Sequence, residues 1–217
     1  LEFGEFAVHS FSLASISAII TVMLAITLAY SIRLYPTSAL RSAARVAAMG
    51  YAIPGSVIAV GISIPLGWAA NALNGTAQTI FGLQPGWIFS GTVGALIFAY
   101  VVRFLAISFG TVEASLVQIK PNLDEAARSL GCTPTKTLTQ IHIPLMGRGL
   151  LTAIVLAFVD VMKELPATLM IRPFNFDTLA VRVYRLASDE RLAEASGPAL
   201  AIVVVGLIPV LLLSLRI

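Results

Sequence analysis

Apolar positions in this chain run in long unbroken blocks, not in the alternation of a half-buried strand or the stripe of a surface helix. Five blocks stand out, at residues 11–32, 46–70, 87–109, 149–171 and 199–215. The first is free of charge. The second is interrupted by Ile53-Pro54-Gly55 and by Pro65. The third carries only Arg103, close enough to one end for its side chain to snorkel toward headgroups. The fourth holds three ionisable residues, and the fifth is short and uncharged. Between Val46 and Val102 there is no Asp, Glu, Lys or Arg. That interval is too long for one span of about 20 residues and fits two spans joined by a short uncharged loop. The pattern predicts an all-α polytopic membrane protein with about five transmembrane helices and lipid as its solvent.

Composition agrees. Of 217 residues, 58% are hydrophobic and 12% charged, with a mean hydropathy of +0.91; a soluble domain carries about 25% charged residues. The net charge of +3 is a topology signal, not a sign of nucleic-acid binding. Arg33, Arg41, Arg45, Arg103, Lys120, Arg128, Lys136, Arg148 and Arg216 fall on one side when the five spans alternate. Arg172, Arg182, Arg185 and Arg191 fall on the other, among Asp177, Asp189, Glu190 and Glu194. The positive-inside rule then puts the amino end outside, the carboxyl end inside and residues 121–148 in the cytoplasm. The start at Leu1 with Glu2 and Glu5, with no basic n-region, is unlike a signal peptide. Both ends read as cut from a longer polypeptide, of which residues 1–217 form one transmembrane domain.

The cytoplasmic stretch has the grammar of two helices. Asn122 is placed to cap the first, with Glu125 reaching back as in a capping box. Leu123, Ala126, Ala127 and Leu130 fall at i, i+3, i+4 and i+7 and predict one apolar stripe. Gly131 suits a left-handed C′ position. Thr133 and Pro134 read as N-cap and first turn of a second helix, which Pro144 is expected to stop. So short a helix is marginal alone; its stripe packs either on the protein's own spans or in a partner's groove.

The segment "EAARSLGCTPTKTLTQIHIP" resembles the EAA loop of permease subunits in binding-protein-dependent ABC importers. Glu125, Ala126, Ala127, Gly131, Ile141 and Pro144 stand at that family's spacings, with Ile143 replacing its leucine. The likeness extends over nearly the whole chain, including "YAIPGSVIAVGI". It implies a bacterial inner-membrane permease whose EAA residues dock on a cytoplasmic ABC ATPase dimer. A periplasmic solute-binding protein and a second permease half, in the same longer chain or as a homodimer mate, complete the implied assembly. The chain has no G-x-x-x-x-G-K-[ST] phosphate loop, so ATP hydrolysis is expected in a partner, and neither a cofactor nor a resident metal is expected here.

In the fourth block Asp160, Lys163 and Glu164 are spaced to share one helix face near mid-membrane. Such groups face a bundle interior or an aqueous cavity. They form either a structural ion pair, Lys163 with Asp160 or Glu164, or part of a solute path or gate. The stretch from Lys163 to Ala195 is similar to iron(III) permeases of the same superfamily, which implies ferric iron as solute; thiamine, sulfate and phosphonate permeases share the scaffold. Two carboxylates opposed by a lysine make a transient path, not a cage for a hard trivalent ion. An intramembrane enzyme using Asp160 and Glu164 as an acid–base pair is a further alternative, against which Lys163 argues; a passive channel would leave the cytoplasmic module without purpose. Residues 178–195 read as an interfacial or solvated outer helix. Trp68 and Trp87 suit an aromatic belt. His9, His142 and Cys132 receive no role.

Overall fold

In a computed structural model the backbone is described at residues 2–81 and 92–214, with side chains at 3–70, 92–211 and 214. Trp87, the start of the third expected span and Arg216 lie outside the described residues. The elements are α1 (Glu2–Leu34), α2 (Ser38–Met49), a 3-10 turn (Gly50–Ala52), α3 (Gly55–Phe81), α4 (Val93–Val117) and α5 (Asn122–Ser129). They continue with α6 (Pro134–Leu145), α7 (Gly147–Met162), α8 (Pro166–Ile171), α9 (Leu179–Ser188) and α10 (Leu192–Ser214). There is no strand among the described residues.

The bundle is built on α1, α4 and α7, which pack on one another. Small residues make this possible. Ala14, Ala18, Ala25 and Ala29, with Ser17 and Thr21, form a buried edge along α1. Ala95 and Ala99 on α4 and Ala153 and Ala157 on α7 are buried in turn. With no hydrophobic effect to drive helices together in lipid, close backbone approach and van der Waals packing hold such interfaces. Two apolar clusters fill the seam, one around Leu96, Tyr100 and Phe158, the other around Phe109, Val112 and Met146. Near the amino end of α1, Ser10 Oγ accepts a hydrogen bond from Leu179 N (2.8 Å) and His9 stacks on Phe176. These contacts fasten α1 to the start of α9 and the loop before it, where Asp177 pairs with Arg172 and with Arg185 of α9.

Helices α1, α4 and α10 are long and apolar enough to cross a membrane by length and composition alone. The second expected span is not one helix. Val46–Met49 belongs to α2, and the chain breaks before α3 because Pro54 forces Ile53 into an extended conformation (φ −86°, ψ 131°). Pro65, by contrast, sits inside α3 without ending it. Nor is α2 a surface loop. A Cβ at Gly50 would lie 2.2 Å from Val102 O, and Ala44 shares a cluster with Phe109 and Val112. These two points lay α2 antiparallel along α4, between Val102 and its carboxyl end. The fourth expected span is broken too, at Lys163–Leu165 ahead of Pro166, which has no N–H to continue the ladder.

Gly50→Ala forces a side chain into the Val102 carbonyl, whereas Gly110 faces open space. Thermal denaturation in detergent should show Gly50→Ala destabilised by about 1–3 kcal/mol, with Gly110→Ala close to wild type.

Candidate functional site

The two-helix module of residues 121–148 follows the expected plan with two differences. Pro121 is already helical (φ −57°, ψ −28°), so Asp124 N and Glu125 N donate to its carbonyl. The donors that an Asn122 capping box would serve are thereby taken, and no side chain caps α5. At the other end Gly131 has φ +77°, Cys132 N donates to Ala127 O and Gly131 N donates to Arg128 O. That is a Schellman ending, with the left-handed residue that glycine accepts at least cost. Thr133 caps α6 by accepting from Lys136 N, and Pro134 is in its first turn. Pro144 does not stop α6. A π turn over Leu138–His142 precedes it, with Ile143 N donating to Leu138 O, and the helix runs on to Leu145 before a 79° bend into α7.

The predicted stripe divides. Ala127 is 2% exposed and packs on the protein itself, while Leu123, Ala126 and Leu130 (83% exposed) form a free edge, with Glu125 exposed beside them. Ile141 is half-buried and Pro144 exposed.

Asp124 holds this module in place. Its Oδ2 accepts from Arg33 Nε (2.9 Å) and Nη2 (2.6 Å), and its Oδ1 lies 3.0 Å from His142 Nε2. Arg33 also donates to Leu116 O (2.7 Å) and Ile119 O (2.9 Å) at the end of α4. Tyr30 donates to Pro134 O (2.9 Å) and meets the His142 ring edge-on. One carboxylate therefore joins α1, the end of α4, α5 and α6. Sequence reading missed His142, and counted Arg33 only as a topology signal. No spacing connects positions 33, 124 and 142, and nothing in the sequence singles out Asp124 from its neighbour Glu125.

The intramembrane charges are arranged in two separate pairs. Lys163 Nζ is 2.7 Å from Asp160 Oδ1, and Lys163 is the C-cap of α7 with its side chain 61% exposed. The break turns Glu164 away, so the three groups do not share one helix face. Glu164 is buried, with Oε2 3.1 Å from Arg103 Nε and Oε1 accepting from Ala167 N (3.2 Å) at the start of α8. Arg103 Nη1 donates to Ile53 O (2.9 Å). Arg103 thus does not snorkel: it bridges α4 to both helix breaks. Gly55 leaves room for this pair, since a Cβ there would lie 2.5 Å from Glu164 Oε1 and 2.9 Å from Arg103 Nη1 and the two side-chain ends would have to shift. Among the described residues no cluster of three or more His, Cys, Asp or Glu could hold a metal.

A helical bundle with broken apolar helices and a two-helix module clamped to one end of it is the architecture of a membrane permease. Residues 21–216 match the model of the binding-protein-dependent transport system inner membrane component family, and the chain belongs to that family. It is accordingly a multi-pass inner-membrane protein. The chain is 29% identical over 216 residues to the Fe(3+)-transport system permease protein FbpB 2 of Haemophilus influenzae, covering 98% of this chain and 40% of that protein. It is 32% identical over 127 residues to the putative 2-aminoethylphosphonate transport system permease protein PhnV of Salmonella typhimurium, covering 58% of this chain and 47% of that one. A crystal structure of a bacterial ABC transporter that imports the acidic polysaccharide alginate shares the fold. There the TM-score is 0.75 at 17% identity, over 98% of this chain and 77% of that chain.

Burial pushes the His142 imidazole below its ordinary value of 6.5, with Arg33 acting the same way and Asp124 opposing. The fold thus favours neutral His142. Its contribution to stability is complete above pH 6.5 and is lost as pH falls through the folded value. Amide exchange in α5 and α6, corrected for its intrinsic pH dependence, should therefore quicken on going from pH 7 to pH 5. His142→Gln should abolish that dependence.

Proposed function

We propose that this chain is the transmembrane segment of an ABC importer that moves ferric iron delivered by a periplasmic binding protein. The chain spans less than half the length of the permeases named above, so the whole importer is part of the proposal. Residues 121–148 are its coupling loop, the carboxyl end of the segment is cytoplasmic and its amino end faces outward. A cytoplasmic ATPase dimer hydrolyses ATP, the permease is not itself catalytic, and a second permease half completes the path.

The observation that carries this reading is the divided face of α5. Ala127 and Asp124 bind the helix to the spans, while Leu123, Ala126 and Leu130 stand free, with nothing among the described residues to cover them. A helix anchored on one edge and apolar on the other can receive a partner's groove and transmit its displacement. ATP can shift the spans only through contacts that differ between open and closed ATPase. From α5 the displacement passes through Asp124 and Arg33 to α1, and through α6 and its bend to α7. There the Asp160–Lys163 and Arg103–Glu164 pairs occupy the breaks and act as a gate. Ferric iron as solute is supported by the likeness to the Haemophilus permease over nearly the whole chain. A phosphonate is the second reading, favoured by the higher identity over a shorter stretch.

Two measurements test this. Ala126→Arg in the intact importer should abolish co-purification of the ATPase while leaving yield and monodispersity unchanged, because Ala126 is exposed. An ATPase that stays bound to the variant would contradict the docking edge. For the solute, ferric-loaded binding protein should raise the ATPase rate of the reconstituted importer. A rise only with 2-aminoethylphosphonate would favour the second reading.

A further inference from the structure

Arg41 and Arg45 take no part in the contacts described above. Both lie on α2 with Ser38 and Ser42, at i, i+3, i+4 and i+7, so all four share one face. The four are exposed, while Ala44 on the other side is buried against α4. Neither arginine has a hydrogen-bond or ion-pair partner among the described residues.

Their depth makes this unusual. Helix α2 ends where Gly50 meets the Val102 carbonyl, and from there to Val117 at the inner end of α4 is roughly 22 Å. Counting back along α2, Arg45 lies roughly 7 Å and Arg41 roughly 14 Å from the break. Both are within the inner half of the span. An arginine at such depth faces water or a bundle interior, not hydrocarbon. At the head of the stripe stands exposed Tyr51, within electrostatic reach of Lys163, whose side chain is open as well. The acids of this region offer little to a cation. Asp160 is paired with Lys163 and Glu164 with Arg103, leaving exposed Glu113 one turn from the inner end of α4. A topology signal needs only positive charge on the cytoplasmic side; it does not need two arginines aligned with two serines along one face.

We infer that the Ser38–Arg41–Ser42–Arg45 face lines the inner half of the solute path, and that it selects solutes crossing as anions. For an iron importer this means a ferric complex whose oxyanion ligands outweigh the metal's charge, not the bare ion. The inference rests on the transport reading above. A trivalent cation would be repelled by the two guanidinium charges of this face, which no acid there offsets. Guanidinium groups, by contrast, hold carboxylate or phosphate oxygens by paired hydrogen bonds, and a series of such groups hands an anion inward.

The test does not require the solute to be known. In an intact single-cysteine importer with Cys132→Ser and Ser42→Cys, the thiol is reacted with sulfonatoethyl and with trimethylammonioethyl methanethiosulfonate. Each rate is divided by that of a free thiol in solution. The anionic reagent should react faster by roughly tenfold, as a site potential of about one kT requires for probes of opposite sign. Arg41→Gln with Arg45→Gln should remove the preference. Equal rates, a cationic preference, or no reaction both without nucleotide and with ATP bound would overturn the inference. ATPase co-purification from the same preparations reports on the coupling loop separately, so failure of the path and failure of the transport reading are distinguishable.

Discussion

The carboxylate of Asp124 is the point on which the arrangement depends. It accepts two hydrogen bonds from Arg33 and faces buried His142, while Arg33 also holds two carbonyls at the end of α4. A helix of eight residues has too few hydrogen bonds to persist by itself in water. Tied in this way, α5 becomes an extension of α1 and α4. Removing one partner of such a pair leaves charge stranded in a largely buried place, which costs roughly 3–5 kcal/mol. The free edge of Leu123, Ala126 and Leu130 then has a defined orientation instead of a mobile one, the condition for a coupling element to transmit force.

The second constraint is set by two prolines. Pro54 and Pro166 break two spans, and Arg103 from an unbroken helix closes both breaks through Ile53 O and Glu164. Backbone groups freed inside a membrane must find partners within the protein. Here a side-chain guanidinium supplies one, and the Glu164 carboxylate accepts the Ala167 N–H freed at the start of α8. Among the described residues the only left-handed non-glycine residues are Asn175 and Glu190, so no residue at the joint is held in that region. Broken helices joined by ion pairs have the features of a hinge. In the proposed importer this joint lies between the coupling loop and the outer half of the path.

Much of this was legible in the sequence. Uncharged blocks gave the helical membrane class, and Gly131 with Thr133–Pro134 gave the turn between α5 and α6. The EAA residues resembled a family to which the chain proves to belong. What failed did so for identifiable reasons. The break at Pro54 is legible in the sequence, but Arg41 and Arg45 count there only as topology signals, so the helix that carries them is not. Asp160, Lys163 and Glu164 were placed on one face by a helical count that the Lys163–Leu165 break interrupts. Arg103 was read as snorkelling, since its partner Glu164 is remote in the chain. Nothing in the spacing of Arg33, Asp124 and His142 announces that they meet; only the packing of α1 against α4 brings them together.

The central claim is that α5 moves as one body with the inner end of α1. The most direct test is an electron–electron spin distance between labels at exposed Thr27 and Ser129 in the complete importer, recorded without nucleotide and with ATP trapped by vanadate. The account predicts one unchanged distance in the wild type and a broad, nucleotide-dependent distribution in Asp124→Ala. A wild-type distance that shifts by several ångströms on trapping would contradict it, because α5 would then slide past α1 rather than carry it.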